Sequence, residues 1–127
     1  MEIKTQEDAK KLILQKTEKI RQDVISWRRH LHMNPELSSQ EYETAKFIAQ
    51  KLREIGVDEI QENFAGTTAV IGLIKGKGNI TVALRADTDA LPILEQNENE
   101  YTSTVKGVMH ACGHDAHTSV LLGTAKV

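Results

Sequence analysis

A chain of 127 residues suits one domain of ordinary size. Its 16 basic and 18 acidic residues are spread along its length, for a formal net charge of -2. With no basic patch and no acidic tail, nucleic acid and anionic membranes drop out as partners, and a small molecule is the expected one. A single cysteine cannot close an internal disulfide. No apolar stretch is long enough for a signal peptide or a membrane span, so a cytoplasmic protein with a reduced thiol is expected.

From Thr5 to about His32, apolar residues recur at helical spacing, among them Leu12, Ile20, Val24, Trp27 and Leu31. Pro35 ends this helix, because it disfavours helical geometry at Asn34. A second helix is predicted from Ser38 or Ser39, with Ser39 as its cap, a stripe of Tyr42, Ala45, Ile48, Ala49 and Leu52, and a stop at Gly56. The period then changes. "TTAVIGLI" (67–74) and "ITVALRA" (80–86) read as strands, joined as a hairpin through "KGKGN", with a weaker strand over 59–64. The stretch from Asp87 to Gly107 has no clear period and is predicted to be a long loop. A last helix is expected from about Asp115, with Asp115 as its cap. Apolar strands carrying Val70, Ile71, Leu73, Val82 and Leu84 call for helices on both faces. Few elements are present to supply them, and a C-terminal continuation is expected.

The densest chemistry lies in "GVMHACGHDAHTS" (107–119), which places His110, Cys112, His114, Asp115 and His117 within eight residues. In an extended segment, His110, Cys112 and His114 would share one face. Imidazole and thiolate are good ligands for zinc and neighbouring metals. The same residues suit a cysteine nucleophile with a histidine base at a helix N-terminus, or simply a crowded turn. A second stretch, "LRADTDALP" (84–92), follows an apolar strand and alternates Arg85, Asp87 and Asp89. Charged groups at a strand end are common in the sites of α/β sheets, and an Arg–Asp pair at a sheet edge is the plainer alternative. A third, "RRHLHMNPELSSQE" (28–41), reads as a helix end and a turn, with His30 and His32 near the negative end of the helix dipole.

Together and in this order, the three stretches resemble the N-terminal part of the peptidase M20 amidohydrolases, in the branch of hippurate hydrolases, N-acyl-amino-acid amidohydrolases and auxin-conjugate hydrolases. That resemblance implies a three-layer α/β/α metallohydrolase domain, of which residues 1–127 would be the N-terminal part. The rest of that domain and an inserted dimerisation domain would lie outside. It implies two divalent metal ions, zinc or manganese, and hydrolysis of the amide of an N-acyl amino acid, in a homo-oligomeric complete protein. Cys112 and His114 correspond to metal ligands of the family, with Cys112 between the two metals. Asp87 corresponds to an aspartate that supports a metal-binding histidine in related branches, where Arg85 stands in that histidine's place. The family's paired glutamates and later histidines have no counterpart in this sequence, and Lys106 stands where proline is common. The piece is therefore expected to carry about half of a metal site and to be inactive alone. The alternative is a non-catalytic module that associates through its uncovered sheet.

Overall fold

The structure is a computed structural model and describes Ile3 and residues 5–127. Helix α1 spans Gln6–Met33. Thr5 starts it with a reciprocal cap: its Oγ1 accepts from the Asp8 N–H at 3.1 Å, and its own N–H donates to Asp8 Oδ2 at 3.0 Å. The first half of α1 is largely exposed, whereas the second half buries Trp27, Leu31 and His32.

Helix α2 runs Tyr42–Ile55 and begins later than the serine cap predicts. Ser39 is not the cap; it takes a left-handed φ of 65° in the turn that follows α1. Glu36 replaces it, because its carboxylate reaches the free N–H groups at the helix start. Its Oε2 accepts from the Glu43 N–H at 3.1 Å and its Oε1 from the Thr44 N–H at 2.6 Å. Gly56 stops the helix at φ 86°, as predicted. Ile48, Ala49 and Leu52 are buried, whereas Tyr42 faces outward.

Strand β1 (Glu59–Gln61) pairs antiparallel with β2 (Ile71–Leu73), with Glu59 opposite Leu73 and Gln61 opposite Ile71. The predicted hairpin between 67–74 and 80–86 does not form. β2 pairs backwards with the segment expected to be weakest, and the Asp58 N–H donates to the Leu73 carbonyl at 2.9 Å. Packing explains the choice. Gly72 lies against Leu52 so closely that a Cβ there would sit 3.1 Å from a Leu52 methyl, and Ile60 and Val70 join the same apolar cluster. The β1–β2 pair thus has α2 to rest on. Residues 80–86 have no such support: Ile80 and Val82 are 85% and 77% exposed.

Helix α3, His114–Lys126, packs along the buried half of α1. Gly123 permits the close approach, since a Cβ on it would lie 2.9 Å from a Val24 methyl. Trp27, Ile48, Leu52 and Leu122 form the core between the three helices, edged by Val24 and Phe47. Residues 87–107 are irregular, as predicted, whereas residues 80–86, predicted as a strand, form none. The loop is tied down by two isolated bridges, Leu37 with Ala90 and Leu91 with Met109, and by Thr104, whose N–H and Oγ1 both donate to the Met33 carbonyl. No helix among the described residues is long and apolar enough to cross a membrane.

Candidate metal centre

The bridge between Leu91 and Met109 delivers the chain to His110, and a turn then reverses it into α3. Gly113 makes that turn at φ 88° and caps α3 itself. Asp115 is therefore not the cap. It sits in the first turn of the helix, 1% exposed, and its side chain points back to α1. The turn also breaks the predicted alternation. His110 is 4% exposed, whereas Cys112 is on the surface, so the two do not share a face.

Cys112 is a free thiol and His114 is partly buried beside it in sequence. The His114 Nδ1 lies 2.9 Å from Asp89 Oδ1 and 3.0 Å from the Asp89 carbonyl oxygen. Both partners accept, so Nδ1 carries the proton and donates, and Nε2 is left as the ring's free lone pair. A carboxylate that anchors one imidazole nitrogen while the other faces outward is the usual support of a metal-binding histidine. The supporting carboxylate is Asp89, two residues beyond Asp87. The Asp87 carboxylate pairs instead with Arg85, and the Asp87 carbonyl accepts from Thr118 Oγ1 of α3 at 3.0 Å. The alternation of Asp87 and Asp89 signals that one of them could serve; which one faces His114 is decided by the register of α3.

A buried polar group lies at the end of α1, where the sequence predicts only a helix end and a turn. His32 of α1 is 3% exposed. Its Nδ1 is 2.7 Å from Asp115 Oδ2 and its Nε2 is 3.0 Å from Glu95 Oε1. Arg28 Nε adds a second contact to Asp115 Oδ2 at 3.0 Å. Tyr101 of the loop lies between the Arg28 and Arg29 guanidinium groups, 5.0 and 4.9 Å from its ring centre. The i, i+4 spacing of Arg28 and His32 was a readable hint; nothing in the sequence pointed to Glu95. Burial pushes the Glu95 carboxyl up, but bonds from the Ser103 N–H, His32 and Asn97 outweigh it and hold it below its ordinary value. Burial also lowers the pKa of His110, against the pull of Asp115, and neither His110 ring nitrogen has a hydrogen-bond partner among the described residues. His117 is exposed, its ring 6.0 Å from that of His114. His30 stacks on Phe47 at 4.3 Å, away from the site.

Thiolate sulfur and imidazole nitrogen fit zinc or a neighbouring divalent metal. No three His, Cys, Asp or Glu side chains converge on one point among the described residues, so this chain supplies only part of such a centre. No imidazole bonds the Cys112 thiol among the described residues, which removes the geometric basis of a cysteine–histidine nucleophile.

Comparison with known proteins gives a consistent picture. Residues 83–127 match the family described as "Peptidase family M20/M25/M40". The chain is 48% identical over 123 residues to an N-acyl-L-amino acid amidohydrolase of Geobacillus stearothermophilus, covering 97% of this chain and 32% of that protein. It is 54% identical over 103 residues to thermostable carboxypeptidase 2 of Saccharolobus solfataricus, covering 80% of this chain and 26% of that protein. Among solved structures, it superposes on the Bacillus subtilis YXEP protein, described as a dinuclear metal binding peptidase from the M20 family. The TM-score is 0.80 at 46% identity, over 86% of this chain and 30% of that one. The chain thus spans a quarter to a third of the relatives it matches.

Proposed function

We infer that this chain, which belongs to the peptidase family M20/M25/M40, is the N-terminal part of the catalytic domain of a metal-dependent hydrolase that cleaves the amide of N-acyl amino acids. One observation carries the reading: Asp89 fixes the His114 ring with Nε2 free, two residues from the exposed thiol of Cys112. On this reading Cys112 and His114 are metal ligands. Two divalent ions, zinc or manganese, would supply Lewis acidity toward the scissile carbonyl and toward water.

The chain's own residues do the rest. Asp89 accepts from His114 Nδ1 and so turns Nε2, the ring's other nitrogen, toward the metal. Gly113 lets Cys112 and His114 sit at the open end of α3. Asp87, held by Arg85 and tied to α3 through its carbonyl, fixes the segment that carries Asp89. The remaining ligands and the general base would come from sequence outside these 127 residues, and the piece alone is inactive.

The relatives' names support the amide, since one is an N-acyl-L-amino acid amidohydrolase and another a carboxypeptidase. The decisive assay is hydrolysis of a panel of N-acyl amino acids and peptides by the longer protein, with zinc or manganese, before and after chelation. Chelator-sensitive release of free amino acid is expected, together with loss of activity in Cys112→Ala. Chelator-resistant activity that iodoacetamide abolishes would sink the metal reading in favour of a thiol hydrolase.

A further inference from the structure

The His32 imidazole touches a carboxylate at each nitrogen. Asp115 Oδ2 lies 2.7 Å from Nδ1 and Glu95 Oε1 lies 3.0 Å from Nε2. All three side chains are 4% exposed or less. They come from three separate places in the sequence: the last turn of α1, the long loop, and the first turn of α3. A neutral imidazole can donate from only one nitrogen. The Glu95 carboxylate takes N–H bonds from Ser103 at 2.7 Å and from Asn97 at 3.2 Å, an acceptor's environment. Asp115 takes Arg28 Nε on the oxygen that also meets His32, again as an acceptor. Arg28 also approaches His32 Nδ1, at 3.3 Å, but a nitrogen that donates to Asp115 cannot accept from Arg28 as well. Both ring nitrogens therefore donate. With Arg28 beside Asp115, each buried carboxylate has hydrogen-bond donors, which is the arrangement that makes such burial tolerable.

We propose that His32 is a positioning residue for the Cys112–His114 pair: its Nδ1–H holds Asp115, and through it the first turn of α3, while its Nε2–H locks the loop by Glu95. The proposal rests on the reading of Cys112 and His114 as metal ligands. Asp115 directly follows His114, so a shift of Asp115 displaces the ligand turn. Gly113 at φ 88° bears no side chain to resist such a shift, and the free thiol of Cys112 forms no bond among the described residues that would hold it. The α1 end is a firm anchor, since Leu31 beside His32 is 2% exposed and Thr104 closes the Met33 carbonyl.

Asparagine and glutamine separate this role from a merely structural one. The Asn side-chain amide stands near the place of Nδ1, and the Gln amide near that of Nε2. His32→Asn keeps the bond to Asp115; His32→Gln keeps the bond to Glu95. Cobalt(II) is added to the metal-free longer protein, which brings the remaining ligands to Cys112 and His114, and the thiolate-to-cobalt absorption is titrated for the parent, both variants and Glu95→Gln. His32→Gln is expected to bind cobalt about tenfold more weakly. His32→Asn and Glu95→Gln should stay within about twofold of the parent. Equal affinities in His32→Gln and His32→Asn, with matching helical circular dichroism, would overturn the proposal.

Nitrogen NMR of the parent gives an independent arm that needs no variant to fold. Protons on both His32 ring nitrogens are expected, and a bare Nε2 or Nδ1 would overturn the proposal. Should the parent show no thiolate–cobalt band, the ligand assignment fails instead. Amide exchange at Ala116 and His117 in the first turn of α3 then decides. Exchange faster by about tenfold in His32→Gln but not in His32→Asn sustains the positioning role, and equal rates refute it.

Discussion

At the scale of single residues, the site is set by which carboxylate meets which imidazole. Asp89 meets His114 and Asp115 meets His32, while Asp87 turns to Arg85. Removing the charge at Asp89 frees the His114 ring to rotate and lets its proton move to the nitrogen needed for metal. Asp89→Asn should therefore weaken cobalt binding by the longer protein about 10- to 100-fold. Asp87→Asn should weaken it less, because its carboxylate does not touch the ring. Titration of the thiolate–cobalt band in the two variants checks the order, and a larger loss at Asp87 would reassign the support. The RADTD spelling alone offers two aspartates of equal standing. Only the placement of α3 against residues 87–89, with Thr118 on the Asp87 carbonyl, distinguishes them.

At the scale of elements, the helices form where spacing places them, though α2 and α3 start from other caps than expected, and the strands do not pair as expected. Thr5 with Asp8, and Gly56 at φ 86°, bound α1 and α2 as helix chemistry requires, so α1, Gly56 and the presence of α3 were legible from spacing, whereas the caps of α2 and α3 were not. Thr5→Ala should cost about 1 kcal/mol, read as a lower urea midpoint. Gly123→Ala tests the α1–α3 contact. The new methyl would press on Val24, and a loss of about 1–3 kcal/mol is expected in the same measurement. A stabilised variant there would show that the two helices can move apart freely. The strands were legible as apolar runs but not in their pairing, since backbone hydrogen bonds carry no residue identity and packing selects the partner. β2 took β1 because α2 lies beneath both. Val82 is 77% exposed, so Val82→Lys should change stability by less than about 0.5 kcal/mol. A large loss would mean that residues 80–86 are covered in solution, by a second copy of the chain or by misplaced pairing.

At the scale of the molecule, three helices share one apolar core, and a second, polar centre joins α1, the loop and α3. The Glu95 carboxyl lies below its ordinary value in the folded chain. Its contribution to stability is thus present above the ordinary carboxylate range and is lost as pH falls through the lowered folded value. Urea midpoints followed from neutral pH down through that range should fall, and Glu95→Gln should flatten part of the fall. Parallel curves for parent and variant would remove Glu95 from the acid response. The sequence by itself determined the course of α1, the stop of α2 at Gly56, a last helix near Asp115 and the resemblance to the M20 amidohydrolases, because these reside in local spacing and in short motifs. Only the tertiary structure decided that Asp89 holds His114, that Ile80 and Val82 stay uncovered, and that His32 binds two carboxylates from distant segments. Those outcomes depend on contacts spanning 25, 63 and 83 residues, and such contacts are chosen by how the helices pack and not by any residue's neighbours in the chain.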